Sequence, residues 1–208
     1  QGIEVLNKLE HRGACGSDPL TGDGAGLLIQ MPHKFFKAQC PKIDIELPEQ
    51  GKYGTGLVFF PKDVRIHSFL DIFNKIIKQE GLSLLGWRKV PVDNTTIGHV
   101  AREAEPEIWQ PFIAQGENPI DQEELERRLY KVRKLVGKEI HYAGDAEYFV
   151  SFYICSLSTR TFCYKGQLMS NQLETYFLDL KDPKIESALA LVHSRYSTNT
   201  FPSWGRAQ

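Results

Sequence analysis

Towards the end of the chain, the run "HSRYSTNTFPSWG" (193–205) sets one arginine among small hydroxyl and amide side chains. Arg195 has the most definite chemistry there. Its planar guanidinium can grip a carboxylate through two parallel hydrogen bonds. Ser197, Thr198 and Asn199 can add neutral donors and acceptors around a small polar molecule. The apolar run before it, Ala188 to Val192, reads as a buried strand, so Arg195 is expected as a buried arginine at a strand end. An unpaired charge in that position is costly and calls for an anion. Two anions would serve. One is the carboxylate of an amino-acid-sized ligand, and the other is a carboxylate of the protein in an internal salt bridge. The residues alone leave both open.

A second cluster is the glycine-rich run "HRGACGSDPLTGDGAG" (11–26). Thr21 to Gly26 is tempting as a phosphate loop. It lacks the Lys-Ser/Thr ending of a P-loop, and no strand precedes it as a dinucleotide fingerprint requires. A tight turn whose glycines supply positive φ is the plainer reading. A third is that the glycines let this backbone approach another part of a site. Arg12 opens the loop after a short helix. There it is a surface residue or a helix C-terminal partner unless the loop lines a site, and His11 shares that ambiguity. Cys15 is a nucleophile only if a helix N-terminus or a base lowers its pKa, and neither is legible. Cys155 and Cys163 are expected to pack as small apolar groups. The histidines lack HExxH spacing and the four cysteines form no CxxC pair. No metal, iron–sulfur cluster or disulfide framework is therefore expected from this chain, and a reducing compartment is.

These residues must be held by elements that periodicity outlines. Ile3, Leu6 and Leu9 suit a short helix before the loop, and "GLLIQMP" a strand after it. "HKFFKAQ" suits one or two helical turns, residues 41–53 a surface excursion, and "GTGLVFFP" a buried strand. Asp63 to Glu80 carries one apolar stripe closed by Gly81. "LSLLGWRKVPV" and "EIWQPFIAQ" read as strands, the second with an awkward internal proline. Asp121 can cap a helix on which Leu125, Leu129, Val132 and Val136 face one way. "EYFVSFYICSLSTRTFCYKG" reads as a hairpin turning at Ser158-Thr159. "SNQLETYFLDL" reads as a helix or a mixed segment. Trp87 and Trp109 are expected in the core. Strands and helices alternate in groups without a βαβ repeat, which favours an α+β layered fold, and no linker divides residues 1–208. Of 208 residues, 41% are hydrophobic and 25% charged, with a formal net charge of −1. No basic block invites nucleic acid, no run of eighteen apolar residues spans a membrane, and the first residues lack a secretory core.

Two long stretches, "LEHRGACGSDPLTGDGAGLLIQMP" and "HSRYSTNTFPSWGRAQ", closely resemble the glutaminase domain of glutamate synthase large subunits. "GWRKVPVDNTTIGHVAREAEPEIWQPFI" and "YKGQLMSNQLETYFLDL" fit the same family, so the resemblance runs along nearly the whole chain. The shorter "HRG…DGAG" and "RYST" pieces resemble class II glutamine amidotransferases more widely. The resemblance implies an N-terminal-nucleophile fold, a four-layer αββα sandwich of two antiparallel sheets between helices. It implies hydrolysis of the glutamine side-chain amide by a cysteine whose own α-amino group is the base. The ammonia released would travel to 2-oxoglutarate at a synthase site of the same polypeptide, where FMN and an iron–sulfur cluster supply electrons drawn from a small subunit or ferredoxin. The implied location is the cytoplasm, or a plastid in a photosynthetic eukaryote.

Carried over by position, Arg195 would hold the α-carboxylate of glutamine, and Ser197 and Thr198 would shape the pocket. Arg12 would sit beside the nucleophile and steady its turn. Gly22, Asp23 and Gly24 would form the turn that lets the next strand pack close. The first residue is Gln1, which has no nucleophilic side chain. The nucleophile is therefore expected upstream of it. The oxyanion-stabilising Asn-Gly pair and an aspartate for the substrate amino group are expected beyond Gln208. The sandwich is thus expected to be incomplete at both ends, and the 208 residues alone to be inactive. The rival reading is a non-catalytic amino-acid-binding or scaffold domain of the same fold.

Overall fold

The structure, a computed structural model, describes residues 1–62, 66–142 and 152–207. In chain order the elements are α1 (Gly2–Lys8), β1 (Ala25–Gln30), α2 (His33–Gln39), β2 (Tyr53–Thr55), β3 (Val58–Phe60), α3 (Ile66–Gln79) and β4 (Leu82–Lys89). They continue with α4 (His99–Glu103), β5 (Glu107–Gln115), α5 (Gln122–Tyr142), β6 (Tyr153–Ile154), β7 (Thr161–Gly166), α6 (Leu173–Tyr176) and β8 (Ala190–Ser194).

The two long helices follow their apolar stripes. Asp121 Oδ1 accepts the Glu124 backbone N–H at 2.7 Å, satisfying one donor left free at the start of α5. Leu125, Leu129, Val132, Val136 and Ile140 then face inward. On α3 the inward residues are Phe69, Phe73, Ile76 and Ile77, and Gly81 ends the helix at φ 67°. Residues 63–65, the expected start of that helix, lie outside the described residues. Both stripes close on Val58, Phe60, Ile113 and Ile154 of one sheet.

Among the described residues that sheet has five antiparallel strands: β2 and β3 lie end to end along one side of β5, β6 pairs with β3, and β4 runs along the other side of β5. The second sheet has three among the described residues, β7-β1-β8, also antiparallel. A single apolar cluster joins them, with Leu27, Ile29, Phe162 and Tyr164 from the smaller sheet against Phe59, Ile108, Phe112 and Ala114 from the larger. The class is therefore α+β with antiparallel sheets. Among the described residues no helix is long and apolar enough to cross a membrane.

Pro111 is tolerated in the middle of β5 for a local reason. "GTGLVFFP" is two short strands rather than one, β2 opposite Phe112–Ala114 and β3 opposite Glu107–Trp109. Pro111 falls in the interval between them, where neither strand requires its missing N–H. Thr55 Oγ1 donates to the Pro111 carbonyl at 2.6 Å and accepts from Gln110 Nε2 at 3.0 Å.

Two sequence expectations are corrected. The hairpin around Ser158-Thr159 does not form, because β6 pairs with β3 while β7 pairs with β1 in the other sheet. Glu126 on α5 accepts hydrogen bonds from Ser158 Oγ and from Thr159 N and Oγ1, and Thr55 bridges Ser158. The connection is thus pinned as a crossing between sheets. Residues 147–151 of that expected hairpin lie outside the described residues.

The run 188–192 is likewise not a buried strand. Among the described residues β8 is paired only by β1 and forms a sheet edge, with Leu189 51% and Leu191 68% exposed. Apolar composition alone does not separate an edge strand from a central one.

One buried ion pair crosses the core. Arg88 of β4 donates Nη1 and Nη2 to the two Asp179 oxygens at 2.8 and 2.6 Å, and Nη1 also reaches Gln110 Oε1 at 3.2 Å. The Arg88 guanidinium lies 5.6 Å from the Phe35 ring centre.

Candidate functional site

Register decides where the chemistry gathers. Ala25 at the start of β1 is opposite both Gly166 at the end of β7 and Ser194 at the end of β8. Three chain segments therefore leave the smaller sheet at one end: the loop before β1, the loop after β7 and the run after β8. There they enclose a cavity of about 390 Å³. Gly13, Ala14, Cys15 and Gly24 come from the first segment, Leu168 to Ser170 from the second, and Ser194 and Arg195 from the third, with Glu10 at the rim.

Backbone hydrogen bonds stitch these segments together. Ala14 N donates to Arg195 O at 3.3 Å, Asp23 N to Ala14 O at 3.0 Å, and Arg195 N to Gly24 O at 2.8 Å. Cys15 bridges Gly22 in antiparallel fashion. The Asp23 carboxylate accepts the Ser197 N–H at 2.6 Å. Two glycines make this closeness possible. A Cβ on Gly22 would lie 2.3 Å from the Leu168 carbonyl oxygen, and Gly24 adopts φ 149° with Ala207 Cα 2.8 Å from where its Cβ would be. "TGDGAG" thus works by close approach of backbones.

Arg195 is partly rather than fully buried. Nη2 donates to Thr200 Oγ1 at 2.6 Å. Nη1 is a buried atom with no hydrogen-bond partner, and no carboxylate pairs with Arg195 among the described residues. A guanidinium nitrogen held out of water without an acceptor is expensive to maintain, so it marks where an acceptor belongs. Of the two anions left open by the sequence, the internal one is absent among the described residues.

The other candidates fall in different places. Arg12 is exposed on a short 3-10 turn (Glu10–Arg12) and does not border the cavity. The exposed His11 donates Nδ1–H to the Lys8 carbonyl at 3.0 Å. Ser197 turns its hydroxyl to the Thr200 carbonyl, and Thr198 and Asn199 are exposed. Cys15 is exposed at the cavity wall, while Cys155 and Cys163 are buried, where desolvation raises both thiols above their ordinary value. Sequence reasoning missed Ser194 and Ser170, whose hydroxyls lie 2.9 Å apart in the wall. The signal for Ser170 was its place just past β7, which becomes informative once β7 is paired to the strand that follows the glycine loop. Among the described residues no group of three or more His, Cys, Asp or Glu side chains could hold a metal ion.

The glycine loop is braced from behind by Asp18. Its Oδ2 accepts from Thr21 Oγ1 at 2.7 Å and from the Val100 N–H at the start of α4 at 3.2 Å, and Oδ1 accepts from Leu20 N at 3.1 Å. His99 Nδ1 stands 3.0 Å from Oδ2. The Thr21 hydroxyl, then the two backbone N–H groups and His99, hold the Asp18 carboxyl below its ordinary value of 3.8 despite desolvation. A group with a depressed native pKa stabilises the fold above its unfolded value. That contribution is lost as pH falls through the lower native value. Melting temperature measured against pH should therefore drop on acidification below 3.8. Asp18→Asn should flatten that part of the curve, and an unaltered acid limb would show that this brace carries no linkage.

The chain matches the family of class II glutamine amidotransferases over residues 1–208, and it belongs to that family. It is 46% identical to the glutamate synthase [NADPH] large chain of Bacillus subtilis (strain 168), over 100% of this chain and 13% of that protein. Against the glutamate synthase [NADH] of Schizosaccharomyces pombe identity is 42%, over 98% of this chain and 10% of the relative. Against ferredoxin-dependent glutamate synthase 1, chloroplastic/mitochondrial, of Arabidopsis thaliana it is 37%, over 98% of this chain and 12% of the relative. The chain thus spans a small fraction of the length of the relatives it matches.

Proposed function

We propose that residues 1–208 are part of the glutamine-hydrolysing domain of a glutamate synthase. Glutamine enters the cavity at the end of the smaller sheet and presents its α-carboxylate to Arg195. The observation that carries this reading is Arg195 Nη1, buried and without an acceptor beside a nitrogen already engaged. Ser197 and Thr198 shape the mouth of the pocket, Arg12 steadies the turn beside the attacking group, and Gly22, Asp23 and Gly24 bring the loop backbone against the wall. A cysteine thiolate upstream of Gln1 attacks the side-chain amide carbon, ammonia leaves, and water releases glutamate from the thioester.

The two sheets and their helices form the inner part of a four-layer αββα sandwich. Two features support that reading: the cluster shared by both sheets, and the separate cluster between the larger sheet and α3 and α5. In the whole protein the ammonia passes to 2-oxoglutarate at a synthase site with FMN and an iron–sulfur cluster. A small subunit or ferredoxin would deliver the electrons, in the cytoplasm or a plastid. The relatives named for NADPH, NADH and ferredoxin favour that setting without choosing the donor.

The test is ammonia release from glutamine by the full-length protein, with Cys15→Ser alongside. Release that survives Cys15→Ser supports a thiolate elsewhere. Release abolished by it would make Cys15 the nucleophile. No release from glutamine by the wild type would leave an amino-acid-binding domain instead.

A further inference from the structure

We propose that Lys165 and His193 are positioning residues for Arg195, acting through the segment Trp204–Ala207. The proposal rests on the glutamine reading of the cavity. The register of the smaller sheet sets Lys165, Gly26 and His193 side by side in one row across β7, β1 and β8. The middle position has no side chain, and a Cβ there would lie 2.3 Å from His193 Cε1 and 3.1 Å from Lys165 Cβ. From the two ends of the row, Lys165 Nζ donates to the Gly205 carbonyl at 3.1 Å and His193 Nε2 to the Ala207 carbonyl at 2.7 Å. Two side chains of one row thus hold two carbonyls of one segment, at alternate residues.

Lys165 is an expensive choice for this place. It is fully buried, and its Nζ also lies over the face of the Tyr153 ring, 4.2 Å from the centroid. No carboxylate pairs with it among the described residues. A buried ammonium without an anion costs stability that an apolar side chain of the same length would not. What the lysine supplies and an apolar residue cannot is the grip on Gly205.

The gripped segment bears directly on the site. Trp204 is buried and donates Nε1 to the Ala101 carbonyl at 2.9 Å, which fixes the segment at its start. Ala207 presses against Gly24, and the Gly24 carbonyl accepts the Arg195 N–H at 2.8 Å. From Lys165 and His193 to the segment, from the segment to Gly24, and from Gly24 to the Arg195 backbone, each link is a contact. Without the two hooks the segment can retreat from Gly24, and the guanidinium loses the reference that orients it before the ligand arrives.

Glutaminase kinetics of the full-length protein test this, using Lys165→Met, Lys165→Arg and His193→Ala, with Arg195→Lys as control. Lys165→Met and His193→Ala are each expected to raise the glutamine KM about tenfold and to change kcat less than about twofold. Lys165→Arg, which keeps a donor, should recover most of the loss. A purely structural role would instead lower the folded fraction and kcat together and leave KM alone. If KM is unchanged in both Lys165→Met and His193→Ala while Arg195→Lys raises it, the inference fails and the glutamine reading stands. If Arg195→Lys also leaves KM unchanged, the glutamine reading itself fails. Should Lys165→Met not fold, His193→Ala carries the same two outcomes.

Discussion

Arg195→Lys is expected to raise the glutamine KM of the full-length protein by about ten- to a hundredfold, with a smaller change in kcat. The lysine keeps the charge and loses the fork. In the native site one guanidinium nitrogen is engaged by Thr200 and the other is buried without a hydrogen-bond partner. A single ammonium cannot satisfy Thr200 and grip a carboxylate in the same planar geometry. A hydrogen bond to a charged group contributes about 1.5–3 kcal/mol, and each 1.4 kcal/mol is about a factor of ten in affinity. The loss should fall on KM because the α-carboxylate is remote from the bond that breaks, so it is held alike before and during reaction. Steady-state kinetics with glutamine decide the matter. An unchanged KM would remove Arg195 from the carboxylate and with it the physical basis of the assignment.

Asp179→Ala is expected to be the most damaging single change to stability among the buried polar residues. It strips both hydrogen-bonded oxygens from Arg88, whose guanidinium is then left with Gln110 and the face of Phe35. Breaking one partner out of a buried pair costs about 3–5 kcal/mol, because the surviving charge has no compensation. In a domain of this size that lowers the melting temperature by about 10 °C. Replacing both partners, Arg88→Met with Asp179→Leu, should recover most of the loss, since the desolvation of two charges disappears with them. Paired thermal melts of wild type, single and double variants measure this. A double variant as unstable as Asp179→Ala would mean that the pair contributes through its network with Gln110 and with Tyr164, whose hydroxyl donates to Asp179 Oδ2 at 3.4 Å.

The sequence declared most elements because each has its own periodicity or cap. The stripe on α5 and its Asp121 cap are local facts, and so is the turn at Gly81. What it could not declare was partnership. Tyr153-Ile154 and Thr161 to Gly166 look like consecutive strands of one hairpin, but only the grip of Glu126 on Ser158 and Thr159 reveals that they belong to different sheets. Leu189 and Leu191 look buried, and only the absence of a second described neighbour for β8 exposes them. The same holds at the site. Arg195 and the glycine loop were legible from residue type, and the use of Gly22 and Gly24 for close approach was one of three open readings. Ser170 and Ser194 were not legible, because their closeness depends on the β7-β1-β8 register. Arg12, Ser197 and Thr198 were singled out by position in a motif, and they are not among the residues that line the cavity.

Among the described residues β8 is paired on one side alone, which has a thermodynamic corollary. Arg195 follows directly on this strand, so the order of the strand and the readiness of the guanidinium share one equilibrium. When only a fraction of molecules hold the competent arrangement, apparent affinity falls by that fraction. Whatever lies along the outer side of β8 and favours the ordered form therefore tightens ligand capture at its tip. By reciprocity, capture at the tip strengthens whatever holds that outer side.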